Sequence, residues 1–185
     1  NYSAWHLMKA LGIAERDGLE RYVSQQVYYS LVARELENEL VPLALDQGIG
    51  GLIWSPLSGG FLSGKFRRGH TGPENTRRVQ RGDPGTIDEE QGYDVIDVLE
   101  EIAQAHNASI AQAALNWLLH KPAVTSVLIG ARSESQLVDN LKAATWKMTP
   151  EEVERLDEVS ATPSIYPYWH QRQNNTRVPQ PANLP

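Results

Sequence analysis

Ile53-Trp-Ser-Pro-Leu-Ser-Gly-Gly-Phe-Leu-Ser-Gly-Lys65 decides the reading of this 185-residue chain. The stretch leaves a short apolar strand through an aromatic residue and enters a glycine-rich loop that ends in a lysine. Such a loop can cradle phosphates with backbone amides. Gly59 to Lys65 fits the P-loop spacing G-x-x-x-x-G-K, but Phe66 stands where that motif needs the hydroxyl that binds magnesium. The chain then runs into Arg67-Arg-Gly-His-Thr-Gly-Pro73 rather than a long helix, so no helix N-terminus would face the phosphates. The P-loop reading fails at its metal ligand.

Upstream, Ile49 to Trp54 reads as a short apolar strand, with Gly48 as the C-cap of the helix before it. That helix takes Arg34 to Gln47, with Leu36, Leu40 and Leu43 on one face and Pro42 splitting it in two. Residues 22–28 are β-branched and aromatic enough for another strand. A first helix is expected from Ser3, whose hydroxyl would accept from the first free amides. It carries Leu7, Met8 and Leu11 and ends near Gly18. Because Asn1 is not an initiator methionine and a helix starts almost at once, a preceding segment is expected.

Downstream, residues 55–92 are rich in Gly, Pro, Arg and Asp without a sustained period. They are too long for an ordinary connection and read as a functional loop. Helical pattern resumes at Tyr93 with Val95, Ile96, Leu99 and Ile102. Capping boxes at Ser109-Ile-Ala-Gln112, Ser133-Glu-Ser-Gln136 and Thr149-Pro-Glu-Glu152 open three more helices, the last with proline at its favoured first position. Pro122 stops the first of these, Val124 to Ile129 is a third strand, and from Ala161 the tail is proline-rich and irregular.

Short strands alternating with helices predict an α/β fold, a parallel sheet with outer helices. Three strands leave two open edges, and a closed eight-stranded barrel takes about 250 residues. The chain must pair or be incomplete. With 41% hydrophobic and 22% charged residues it can bury a core. A net charge of -6, from 23 acidic and 17 basic residues, repels phosphate backbones and argues against nucleic acid as a partner. The lack of cysteine excludes disulfides and thiolate chemistry and fits a reducing cytoplasm. No apolar run approaches the roughly 20 residues that span a bilayer, and no signal-peptide pattern opens the chain. A cytoplasmic protein away from membranes is expected. The histidines at 6, 70, 106, 120 and 170 have no metal-ligand spacing, so no metal is expected.

Trp54-Ser-Pro-Leu-Ser-Gly-Gly-Phe-Leu-Ser-Gly-Lys65 is similar to the seventh-strand motif of the aldo-keto reductases, a family with a (β/α)8 barrel and NADP(H). Three further segments agree in order. Asn1-Tyr-Ser resembles the end of that family's Ser-Asn motif, Gln26-Val-Tyr-Tyr-Ser-Leu31 its sixth-strand motif, and Ile129-Gly-Ala-Arg-Ser-Glu-Ser-Gln-Leu-Val-Asp-Asn140 its eighth-strand motif. The resemblance covers residues 1–160 and implies the C-terminal half of a barrel, with 55–92 as a long loop on the cofactor side and 161–185 as a separate tail.

Carried over position by position, the resemblance implies that Asn1 and Gln26 hold the nicotinamide carboxamide and that Trp54 stacks on the ring. A core tryptophan at a strand end is the plainer alternative. Ser55, the backbone of Leu57, Gly59 and Lys65 match the pyrophosphate segment, where short side chains and free amides approach anionic oxygens closely. Arg132 and Gln136 match positions around the adenosine 2'-phosphate, and Asn140 one near adenine, with the dipole of a helix starting at Ser133 adding to the attraction. Gly130 and Gln136 stand where many family members carry lysine and arginine, so preference for NADP(H) rests on Arg132 and NAD(H) stays open. Arg132 also reads as a solvated charge at a helix start.

Arg67, Arg68, Arg77, Arg78 and Arg81 belong either to a loop that folds over the cofactor or to a solvated surface loop. Tyr166-Pro-Tyr-Trp169 either walls a substrate pocket or packs against a barrel rim. Members of the family donate a proton from a tyrosine tuned by a lysine, an aspartate and a histidine, and nothing in this chain matches those motifs. Tyr28 and Tyr29 are not promoted to that role, because a phenol without a neighbouring cation keeps a pKa near 10. No catalytic residue is therefore assigned. The chain is expected to be the cofactor-binding half of an NADP(H)-dependent oxidoreductase, inactive alone, that acts on a small carbonyl substrate only when an N-terminal half completes it. The alternative is a non-catalytic half-barrel that self-associates through its open sheet edges, or an interaction subunit.

Overall fold

The computed structural model describes residues 1–70, 72–74, 76, 78–79, 82 and 87–173, apart from the Arg172 side chain. Strands β1 (Ser24–Tyr28), β2 (Gly50–Trp54) and β3 (Val124–Val127) form a parallel sheet in the order β1-β2-β3. Around them lie α1 (Ala4–Asp17), α2 (Leu40–Gln47), α3 (Glu89–Ala105), α4 (Ile110–Leu119), α5 (Glu134–Leu141), α6 (Pro150–Val159) and α7 (Tyr168–Gln173). Short 3-10 segments occupy Glu35–Asn38, Ser58–Ser63 and Lys142–Ala144, the second of them broken by a kink at Gly59 and Gly60. Among the described residues this is an α/β fold with a parallel three-stranded sheet, as the alternation of strands and helices predicts.

Several element ends differ from the sequence reading for local reasons. The split ascribed to Pro42 falls upstream, at Glu39, between the 3-10 turn and α2. Pro42 itself sits in the first turn of α2, where its missing amide costs nothing, while its ring prevents a helix from running through the Asn38 carbonyl. Gly48 closes α2 in the left-handed conformation, as expected. Ser3 does not cap α1 with its hydroxyl, which lies 2.6 Å from His6 Nδ1 instead. Leu7, Leu11 and Ala14 form the buried face of α1, and Met8, one residue off that stripe, is exposed. Helix α3 begins at Glu89 rather than Tyr93, because Asp88 accepts the Gln91 amide. The tail is not wholly irregular. In α7 the Pro167 carbonyl accepts the first helical bond, from Gln171 N at 3.0 Å, and a residue in that place needs no amide of its own.

Of the three capping boxes, only Thr149 with Glu152 is complete. Ser109 and Ser133 each accept the amide of the glutamine three residues on, but neither glutamine side chain returns to the cap. Gln112 Nε2 donates to Asp139 at 2.6 Å, and Gln136 Oε1 accepts the Arg132 amide at 3.0 Å. Both glutamines spend their side chains on joining the segments around β3.

The two faces of the sheet differ. Val27 and Ile53, register partners, point into a core with Val95, Ile96 and Leu99 of α3, Trp117 and Leu118 of α4 and Leu156 of α6. A smaller core gathers Leu7, Leu11, Ala44, Ile49 and Ala123. On the other face Gln26 is exposed and Tyr28, Leu52 and Trp54 are only half-buried. Parallel sheets are ordinarily covered on both faces, so this second face is unusually open. Large apolar side chains are also exposed near both outer strands: Trp5, Tyr22 and Val23 on the β1 side, Leu128, Val138 and Leu141 on the β3 side.

Candidate functional site

At the C-terminal ends of β2 and β3 a cavity of about 730 Å³ opens between the turn after β2 and the start of α5. Trp54, the last residue of β2, forms part of its wall, followed by Ser55, Leu57, Gly59 and Lys65 from the turn. Arg132, Gln136 and Asn140 line the opposite end. The position is the one that open α/β sheets use for ligands, beyond the carboxyl ends of their strands.

The turn is tightly wound. Ser55 and Ser58 have φ of 52° and 47°, and Gly59 and Gly60 have 65° and 97°, so the path needs glycine where it turns furthest from ordinary backbone. The expectation of free amides needs correction. Gly60 N donates to Leu57 O at 2.9 Å, and Gly59 N points to Ser55 Oγ at 3.4 Å. Much of this tight turn folds its amides on itself, so polar contact with a ligand falls more to side chains that line the cavity, such as Ser55 and Lys65. Phe66, which defeats the P-loop spacing, is buried beside Phe61 and under the Arg78 guanidinium.

At the other end, residues 136, 139 and 140 lie one helical turn apart on α5 and face the cavity together. Asp139 was not singled out from the sequence, although its spacing from Gln136 marks it. Its carboxylate accepts from Ser109 Oγ at 2.7 Å and from Gln112 Nε2 at 2.6 Å, which ties α5 to the start of α4. Ser63, Thr76 and Ser109 also line the cavity without having been expected.

Asn1 and Gln26 lie beside the cavity rather than in its wall. Asn1 Oδ1 accepts the Trp54 indole N–H at 2.9 Å, and Asn1 N donates to Gln26 O at 3.2 Å. Asn1 thus holds Trp54, a contact that strand-by-strand reading cannot foresee. Tyr28 stacks on Trp54 with ring centroids 4.7 Å apart. Tyr29, its neighbour, points the other way into the core, edge-on to Trp117, and donates to Glu37 at 2.5 Å. Burial and the Glu37 carboxylate push its phenol well above the ordinary value, despite Arg34 nearby, so Tyr29 does not release a proton near neutrality.

Three of the loop arginines dock on α3. Arg68 reaches Glu90, Asp94 and Asp97 at 3.1, 2.6 and 3.2 Å, Arg67 pairs with Glu100, and Arg78 with Glu89. Arg77 and Arg81 lie outside the described residues. In the tail, neither Tyr166 nor Trp169 lines the large cavity. Burial and the carboxylate of Glu39, ahead of α2, raise the Tyr168 phenol above its ordinary value. Among the described residues no helix is long and apolar enough to cross a membrane.

Comparison with known proteins accords with this arrangement. A family profile for aldo/keto reductases matches residues 1–161. The oxidoreductase YrpG of Bacillus subtilis, itself uncharacterized, is 34% identical over 163 residues, 88% of this chain and 48% of that protein. Versiconal hemiacetal acetate reductase of Aspergillus parasiticus is 31% identical over 165 residues, covering 89% and 48%. A putative voltage-gated potassium channel subunit beta of Schizosaccharomyces pombe is 32% identical over 166 residues, covering 85% and 48%. The chain spans about half the length of these relatives. With a match this extensive, the chain belongs to the aldo/keto reductase family.

Proposed function

We propose that this chain is the cofactor-holding, C-terminal half of an NADP(H)-dependent aldo/keto reductase barrel, a cytoplasmic protein that depends on an N-terminal half for the proton-donating Asp, Tyr, Lys and His. The observation that carries the reading is the convergence of Trp54, Ser55, Leu57, Gly59, Lys65, Arg132, Gln136 and Asn140 on one cavity. These residues come from two segments about 70 positions apart in sequence, and the family resemblance implies a cofactor contact for each of them. The volume falls within the roughly 300–1,000 Å³ of small-molecule and cofactor sites.

The donor set fits a dinucleotide. Trp54 offers an aromatic plane to the nicotinamide, Ser55 and Lys65 a hydroxyl and a cation to the pyrophosphate, and Arg132 a cation to the 2'-phosphate. Asn140 sits at the adenine end. When bound, the cofactor supplies a hydride for a carbonyl. The residues of this chain bind and orient it, and none is given the proton-donating role. The half-open sheet face with Gln26, Leu52 and Trp54 is what the interior of an incomplete barrel looks like.

Titration of the chain with NADPH, followed by nicotinamide fluorescence, tests the reading. Saturable binding that weakens in Lys65→Met is expected, and no binding by the wild-type chain overturns it. Mixing with an N-terminal half of a family member should restore carbonyl-dependent NADPH oxidation. A second reading, a non-catalytic half-barrel that self-associates, is favoured by the apolar side chains exposed near both outer strands. It predicts an oligomer by light scattering together with no NADPH binding.

A further inference from the structure

Tyr28 lies outside the cavity wall, yet it touches both of the parts that shape one end of it. It is the register partner of Trp54 across parallel strands, so the two side chains leave the same face of the sheet. Their rings stack at 4.7 Å with 23° between planes, while Asn1 accepts the indole N–H from the edge. One face and one edge of Trp54 are thereby held, and its orientation toward the cavity is set by neighbours that do not themselves line it.

The phenol oxygen of Tyr28 reaches in a second direction, to Ser58 Oγ at 2.8 Å. Ser58 Oγ lies equally close to Ser30 Oγ, whose oxygen accepts the Val32 amide. Ser58 is fully buried and adopts a left-handed φ of 47°, a conformation that strains a residue with a side chain. Two hydroxyl partners holding a buried side chain keep that conformation in place, and Gly59 and the rest of the cavity turn follow directly.

We propose that Tyr28 is a positioning residue of the cofactor cavity, setting the plane of Trp54 with its ring and the path of the glycine turn with its hydroxyl, through Ser58. The proposal rests on the NADP(H) reading of the cavity. It makes the ring-stacking and phosphate-holding parts a single unit: disturbing Tyr28 disturbs both, while the Arg132 end, on the far side of the cavity, is left alone.

Two variants separate the contacts. Tyr28→Phe keeps the ring and loses the hydroxyl, and Tyr28→Leu loses both. Each is titrated with NADPH and with 2'-AMP, which reaches only the Arg132, Gln136 and Asn140 end, while the Trp54 indole N–H resonance, assigned with Trp54→Phe, is followed by NMR. Tyr28→Phe should weaken NADPH about 5-fold, the worth of one hydrogen bond, and leave the indole resonance near its place. Tyr28→Leu should weaken it at least about 20-fold and shift or broaden that resonance. Binding of 2'-AMP should stay within about two-fold in both. NADPH affinities within two-fold of wild type in both variants overturn the proposal with the cofactor reading intact. A parallel loss of 2'-AMP binding also overturns it, because it marks a general structural role. A wild-type chain that binds neither ligand overturns the proposed function and this inference together.

Discussion

Asn116 and Met148 are joined by a buried hydrogen bond, Met148 N donating to Asn116 Oδ1 at 3.2 Å. The amide end of the same side chain donates to Ala143 O and Trp146 O at 2.7 and 2.8 Å. One side chain on α4 therefore satisfies three backbone groups of the turn between α5 and α6, a segment with no regular ladder of its own beyond a single 3-10 turn.

Replacing Asn116 with leucine, which fills similar space, should leave those three groups without partners. A loss of about 3–5 kcal/mol in unfolding free energy is expected, measured by urea titration. A loss below about 1 kcal/mol would mean that water replaces the side chain.

Gly51 and Gly12 should respond oppositely to alanine. A Cβ on Gly51 would come 2.5 Å from the Ala123 carbonyl, where β2 and the segment leading into β3 touch, and the backbone there cannot yield cheaply. Gly51→Ala should cost about 2 kcal/mol or more. Gly12 lies within α1 with open space around it, so Gly12→Ala should gain about 0.5–1 kcal/mol. Thermal melts of both variants read the two signs.

Tyr29 gives stability a dependence on alkaline pH. Its phenol is raised in the folded chain by burial and by Glu37, so folding favours the protonated form. Below the ordinary phenol value near 10 both states hold the proton and the full contribution is present. Above it the unfolded chain releases the proton while the folded chain keeps it, and stability falls by up to about 1.4 kcal/mol per pH unit. Denaturation of wild type and Tyr29→Phe across pH 9 to 11 should show this extra slope in wild type alone. Equal slopes would contradict the buried contact with Glu37.

Arg132→Ala tests the cofactor preference. Removal of a charge-assisted contact to the 2'-phosphate should weaken NADPH about 10- to 100-fold and change NADH by less than about three-fold. Equal losses for both cofactors would assign the Arg132 side chain to the shape of the α5 start rather than to the 2'-phosphate; the backbone amide of residue 132, which bonds Gln136, is kept in the variant.

Much of the fold was legible because it depends on local chemistry. The apolar end of β2, the left-handed Gly48 and the box of Thr149 and Glu152 are each decided within a few residues. What was not legible depends on which of several available partners a side chain takes, some of them distant in sequence. Gln112 and Gln136 look like box residues, and only the folded chain offers them Asp139 and the Arg132 amide instead. Ser3 finds His6, and Asn1 finds an indole 53 positions away. In the cavity, motif positions such as Trp54, Lys65 and Arg132 could be named in advance. Asp139 was marked only by its helical spacing from Gln136, and Ser109 not at all, because what brings Ser109 there is the packing of α5 on α4.

Helix α4 is buried at every position from Ala111 to Leu118. Such a helix has no outward side to fray from, so its amides should exchange with solvent only when the whole domain opens. Ser109 and Ala111 at its start line the cavity, and Trp117 near its end anchors to Asp157 of α6. The floor of the cavity is therefore as slow to open as the domain itself, whereas the arginine-pinned loop across from it rests on half-exposed ion pairs that salt weakens. Added salt should accordingly loosen the Arg68 contacts with α3 before it disturbs the α4 floor.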